Sequence, residues 1–323
     1  MALTLPHLPA RDASRSSTSY DAGLHFEKVA RAATRDPAVL RARGLELWHL
    51  ASLDAPTVAI VWTLGFAWAA GVRLAAWIPL LIALTVWAVY IFDRLLDTRG
   101  ALRTAEMERL RERHYFHWRH RHILLPLGAV AAGAAGWLIF AFMPLVARER
   151  DSVLAAASFA YFARVHAGHR SRPFLSSLLT KELLVGTLFT AGCALPAFGA
   201  LWLDHAALWP LAGAAAVFTS LAWLNCHAID RWESQKDEHT GMPLAGCGCL
   251  IALSGAAATA AAWAHPRFVL LLAAAAVSAL LLALLDRGRG RLSPVTLRAA
   301  ADLALLAPAP LLAAAWLMPW LAR

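Results

Sequence analysis

Two aspartates four residues apart, Asp93 and Asp97, follow an apolar run, Leu74 to Phe92, that contains no charged residue. On a helix, at about 100° per residue, that spacing sets both carboxylates on one face, about 40° apart. Side by side they repel one another unless a cation lies between them. Magnesium, which takes hard oxygen ligands and phosphates, suits such a pair. The same two residues also read as solvated charges that end an apolar helix. A second stretch, Asn225 to Asp237, follows another long apolar run and carries Asp230, Glu233 and Asp237. These are three and seven apart, so they share a helix face within about 60°. Two acidic faces, each at the end of an apolar helix, can hold magnesium ions and a diphosphate between them.

The two runs together, with Arg94 inside the first, resemble the UbiA-type intramembrane prenyltransferases. The first family signature, Asn-Asp-x-x-Asp-x-x-x-Asp, is matched at Asp93 and Asp97, while Val89 and Tyr90 stand where the family has Asn and Asp. In the second run Asn225, Asp230, Glu233 and Asp237 resemble the family's polar positions with a slightly stretched spacing. Thr240 to Leu244 is similar to the Gly-x-x-Thr-x-Pro stretch that leads into the next helix. Leu53 to Pro56 is similar to the family's entry to helix one, without its Arg.

The resemblance implies an all-α, UbiA-like bundle of nine transmembrane helices. It also implies transfer of a prenyl group from an allylic prenyl diphosphate to an aromatic or lipid acceptor in the membrane. By the same resemblance Asp93, Asp97, Asp230 and Asp237 are the catalytic carboxylates. Asp93 and Asp97 would hold one Mg²⁺, and Asp230, Glu233 and Asp237 another. Lys181, Arg94 and Arg164 would meet the diphosphate, and aromatic side chains such as Trp62, Trp87 and Phe92 would shield the developing carbocation along the prenyl path. A second reading, favoured by Val89 and Tyr90, is a repurposed, non-catalytic member of this type that binds a lipid or a partner.

The elements that must position these residues are membrane helices. Of the 323 residues 59% are apolar and only 16% charged, where soluble chains carry nearer a quarter. Nine apolar runs, at about 55–73, 74–92, 123–147, 152–168, 178–201, 206–226, 244–264, 268–285 and 302–321, have lengths near what a bilayer span requires. The chain therefore divides into a polar, partly disordered region, 1–46, and one transmembrane domain, 47–323. No secretory signal peptide is expected at its start. With the N-terminus cytoplasmic, only Arg73, Arg148, Arg150, Arg267 and Arg323 fall on the outer side, out of 30 Lys and Arg. This bias predicts nine spans in a cell inner membrane, with both acidic runs on the cytoplasmic face. The net charge of +9 belongs to loops of this kind, and no nucleic-acid-binding module is visible.

Three further features carry expectations. His114, His117 and His120 recur every third residue among arginines. That pattern predicts a basic helix facing lipid headgroups, with no transition metal. Arg298 and Asp302, four apart, predict an intrahelical ion pair. Cys193, Cys226, Cys247 and Cys249 form no metal or disulfide pattern and read as small buried hydrophobes.

Overall fold

The computed structural model describes residues 44–104, 110–166, 178–201, 207–233, 242–261 and 265–317. Among them the chain is helical, with no strand. In order the helices are α1 (Gly44–Leu50), α2 (Asp54–Ala69), α3 (Trp77–Thr104), α4 (Glu112–Arg119), α5 (Arg121–Phe142) and α6 (Leu145–His166). They continue as α7 (Leu178–Ala200), α8 (Leu208–Glu233), α9 (Met242–Ala261), α10 (Pro266–Gly288), α11 (Pro294–Ala304) and α12 (Ala309–Leu317).

Five helical stretches are long and apolar enough to cross a bilayer: Trp77–Arg103, Arg121–Phe142, Glu182–Ala200, Leu208–Glu233 and Pro266–Arg291. The total is seven if each of two bent pairs, α1 with α2 and α11 with α12, makes one span. This is a multi-pass membrane architecture, with fewer spans among the described residues than the nine apolar runs of the sequence. Each run does lie on a helix, but composition separates them. The first turns of α6 carry Arg148, Glu149, Arg150 and Asp151, and the apolar described part of α9 is only Gly246–Ala256. Val130, Trp137, Phe140, Val153 and Phe159 stand on the outer surface of the bundle. A water-facing protein would bury such residues, whereas lipid accepts them.

Helix α2 is the hub, packing on α3, α7, α8, α10, α11 and α12. Its Trp62 and Phe66 are fully buried, and the Trp62 ring stacks on Phe218 of α8 at 3.9 Å. The indole N–H of Trp62 donates to the Leu305 carbonyl at 2.9 Å. That carbonyl lies where α11 bends by 45° into α12 ahead of Pro308, a residue with no N–H to offer the preceding turn. Two close helix crossings depend on glycine. A Cβ at Gly186 of α7 would lie 3.3 Å from backbone atoms of α8, and one at Gly128 of α5 would lie 3.2 Å from Ile91 of α3. Small residues admit such approach between membrane helices. Cys193 and Cys247 are buried as expected, but Cys249 is exposed on α9.

At one end of the bundle α1 meets α2 at 90°. The corner residue Ser52 has φ 54°, a left-handed conformation uncommon for a residue with a Cβ. It lets the chain turn sharply and lays α1 across the ends of α11 and α4. The helices carrying the candidate residues finish beneath this cap.

Candidate functional site

Helix α3 runs on past its apolar part and presents Tyr90, Asp93, Arg94 and Asp97 near the capped end. Val89 points outward, 45% exposed. Tyr90, where the resemblance calls for a carboxylate, lies with its ring 5.3 Å from the Arg94 guanidinium. Arg94 also holds the carboxylate of Asp93 at 2.8 Å. Asp97 faces the His114 ring of α4 at 3.7 Å.

Helix α8 brings the second acidic run to the same end, with Asp230 half-buried one turn before Glu233. Glu233 is surrounded by cations. Arg111 reaches it at 2.8 Å, Arg113 at 4.0 Å, and Arg298 of α11 makes a direct contact. Both acidic helix ends thus meet α4, which supplies His114 to one and the segment's arginines to the other. Asp237 lies outside the described residues, as do the side chains of Lys181 and Arg164.

Among the described residues three guanidinium groups share the carboxylate of Glu233. Guanidinium groups donate only, and Arg94, Arg111, Arg113 and Arg298 contact between them the carboxylates of Asp93 and Glu233. The Nε–H groups of Arg94, Arg113 and Arg298 are buried without an acceptor among the described residues. Burial, and then the like charges of Arg94 and Arg298, push Arg113 down to about 9. A buried, donor-rich cluster whose members repel one another is electrostatically prepared for an anion, and guanidinium suits phosphate oxygens in particular.

Helix α4 turns its histidines inward. His114 and His117 are buried, which overturns the expectation of a face against lipid headgroups. The reason lies in local pairing. His114 Nδ1 accepts the backbone N–H of Arg111 at 3.0 Å and caps the helix. His117 Nδ1 donates to the Arg113 carbonyl at 2.8 Å, leaving Nε2 to accept from the Ser52 hydroxyl at 3.3 Å. Burial lowers the pKa of both rings, that of His117 to about 4, so His117 sits neutral. His120 instead closes onto the Phe116 carbonyl at 2.8 Å.

The expected Arg298–Asp302 pair does not form. Both lie on one face of α11, but the end of α8 delivers Glu233 to Arg298. Asp302 turns to α1 and to the middle of α8, where His49 Nδ1 lies 3.4 Å from Oδ2 and Asn225 donates to Oδ1 at 3.0 Å. His49 Nδ1 is also 2.5 Å from Asp54 Oδ2. The ligand atoms of His49, Asp54 and Asp302 all lie within 4.8 Å of one another. Among the described residues they are the one group of three or more so arranged. Asp93, Asp97, Asp230 and Glu233 do not converge in this way.

Sequence reasoning also missed the buried contact of His227 Nδ1 with Glu182 at 3.2 Å, between α8 and α7. The only signal for either group was an ionisable residue inside or beside an apolar run. Of the aromatics expected along a prenyl path, Trp62 is consumed by the core. The Trp87 N–H donates to the Ala51 carbonyl at 3.1 Å, and Phe92 lies against Gly128. A search of protein-family models, of curated proteins and of solved structures finds no match to this chain.

Proposed function

We propose that this chain is a UbiA-type intramembrane prenyltransferase, with nine spans in a cell inner membrane and a cytoplasmic N-terminus. In this reading it binds an allylic prenyl diphosphate at the capped end of the bundle and transfers the prenyl group to an aromatic or lipid acceptor. The observation that carries it is the buried cluster of Arg94, Arg113 and Arg298, with three unsatisfied N–H donors beside two acidic helix ends. A diphosphate supplies the oxygens those donors lack, and the adjoining apolar helices offer its tail a lipid-like surroundings.

The carboxylates divide in their fitness for magnesium. Asp93 and Asp97, on one face of α3, offer the hard oxygens the ion prefers. Asp230, and Asp237 beyond the described segment, remain its partners on α8 in this proposal. Glu233 does not fit, because three guanidiniums already surround it. Magnesium, when bound, supplies charge neutralisation of the leaving pyrophosphate. The chain's own part is to orient the diphosphate with Arg94, Arg113 and Arg298, with Lys181 and Arg164 as further cations. Donors fixed in place before the C–O bond breaks stabilise the departing charge without reorganisation.

The saturation of Glu233, together with Val89 and Tyr90 in the first motif, favours one alternative: a non-catalytic protein of the same architecture that binds a phosphorylated lipid. Titration calorimetry with a prenyl diphosphate, with and without magnesium, tests both. Binding that is weakened at least tenfold in Arg113→Gln and Arg298→Gln supports the anion site. Dependence on magnesium and on Asp97, with turnover on an aromatic or lipid acceptor, supports the transferase. Binding indifferent to arginines and magnesium alike refutes both.

A further inference from the structure

We propose that His49, Asp54 and Asp302 form a binding site for a divalent transition-metal cation, distinct from the aspartate pair of α3. Two successive helices and one distant in sequence build it: α1 gives the imidazole, the first turn of α2 gives one carboxylate, and α11 gives the other. All three residues are largely shielded from solvent, with Asp302 the most open at 17%.

The two carboxylates are held alike. Asp54 Oδ1 accepts the backbone N–H of Ala55 at 2.9 Å, and Asp302 Oδ1 accepts the Asn225 amide at 3.0 Å. Each therefore has its outer oxygen pinned and its Oδ2 turned toward His49 Nδ1. Outer hydrogen bonds that fix the free oxygen of a ligating carboxylate are characteristic of metal sites. An independent observation comes from Asn225. Its side chain is 5% exposed, and its Oδ1 is buried with no hydrogen-bond partner. With Nδ2 committed to Asp302, that oxygen is an unused buried acceptor on a residue bonded to the group.

Charge points the same way. Among the described residues no Lys or Arg pairs with Asp54 or Asp302, although three arginines gather one turn away around Glu233. Two buried carboxylates facing one point carry two negative charges unless they share a proton, and one imidazole offers at most a single positive charge. One nitrogen and two carboxylate oxygens suit manganese, iron, cobalt or zinc; magnesium favours an all-oxygen shell. Three protein ligands leave positions open for water or for an anionic group. Asp302 follows Arg298 by one helical turn, so a cation here would border the arginine cluster.

The test uses the full chain in detergent, free of any histidine tag, stripped with chelator, with no prenyl diphosphate present. Equimolar uptake of Co²⁺ or Mn²⁺, read by elemental analysis after gel filtration, is expected. His49→Gln and Asp302→Asn should each weaken uptake by at least tenfold, and Asn225→Leu by about tenfold. Asp93→Asn with Asp97→Asn, which removes the aspartate pair of α3, should still leave one equivalent bound. Electron spin-echo measurement on the Mn²⁺-loaded wild type should show imidazole nitrogen coupling, which needs no variant to fold. Absence of equimolar uptake, absence of nitrogen coupling, or uptake lost only with Asp93 and Asp97 would overturn the proposal. His49 would then be a protonated bridge between two carboxylates. Because every reading omits the diphosphate, failure of the prenyltransferase reading leaves this test untouched.

Discussion

His117 is the residue whose protonation the fold resists most openly, and acid is the perturbation that exposes it. The ring is completely buried, donating from Nδ1 to the Arg113 carbonyl and accepting at Nε2 from Ser52. Burial is the largest influence on it. The Arg113 carbonyl and Asp54 favour the charged ring, while Arg94 and His114 disfavour it, and the balance puts the pKa at about 4 against 6.5. Protonation would force a donor onto Nε2, where the structure offers a hydroxyl that can rotate, and would place a charge beside Arg94. The unfolded chain binds a proton near pH 6.5 and the folded chain only near pH 4. Between those values the unfolded state holds more protons, so stability falls as pH falls. The contribution is complete above about pH 6.5 and is lost by pH 4. At about 1.4 kcal/mol per pKa unit the loss is about 3 kcal/mol. His114, also lowered by burial, adds a loss of the same sign.

The assay is equilibrium unfolding in mixed detergent micelles from pH 7.5 to 4.5, on the wild type and on His117→Gln. Glutamine keeps a neutral donor and acceptor but cannot titrate in this range. The variant should start less stable at pH 7.5 and show a shallower decline, so that the two curves converge in acid. Parallel curves would refute the reasoning. The buried ring would then be titrating without coupling to the fold.

Three other outcomes are expected. Gly186→Leu should cost about 1–3 kcal/mol in the same unfolding assay, because the added side chain meets backbone of α8; an unchanged midpoint would show that the α7–α8 approach is looser than described. Glu233→Gln removes the carboxylate that Arg111, Arg113 and Arg298 share. It should lower stability while raising pyrophosphate affinity severalfold, and a loss of both would mark the cluster as purely structural. Reporter fusions after Arg113 and after Asp237 should both report cytoplasm, and opposite answers would exclude a site shared by the two acidic runs.

What could be read from the sequence was whatever depends on periodicity and on local composition. Apolar runs became helices because their length and Ala/Leu content leave the backbone no better way to satisfy its hydrogen bonds in lipid. Asp93 and Asp97 fall on α3 as their spacing requires, and the ends of α3 and α8 do come together through α4. The partners of charged residues were another matter. An i, i+4 rule paired Arg298 with Asp302, but that rule describes an isolated helix in water. In the bundle, a neighbour on the same helix competes with residues brought from far along the chain. Glu233 wins Arg298, and His49 takes Asp302. The histidines of α4 were misplaced for a related reason. Interleaved arginines suggested a uniformly basic surface, yet a short helix can turn His114, His117 and Arg113 inward and leave Arg119 exposed.

The departure at α11 orders the chemistry of the whole capped end. Arg298 and Asp302 stand one helical turn apart and were expected to neutralise each other. Instead each joins another group: Arg298 shares Glu233 with Arg111 and Arg113, and Asp302 shares His49 with Asp54. Separating opposite charges by one turn, when they could have paired, costs free energy in a poorly solvated place. That cost is offset if each group meets a ligand of the opposite sign, an anion in the first and a cation in the second. Two adjoining sites of opposite appetite are what a metal-assisted reaction of a phosphorylated substrate requires. In the proposed transferase, a cation held by the His49 group would add charge neutralisation from α1, α2 and α11 to that of the α3 carboxylates.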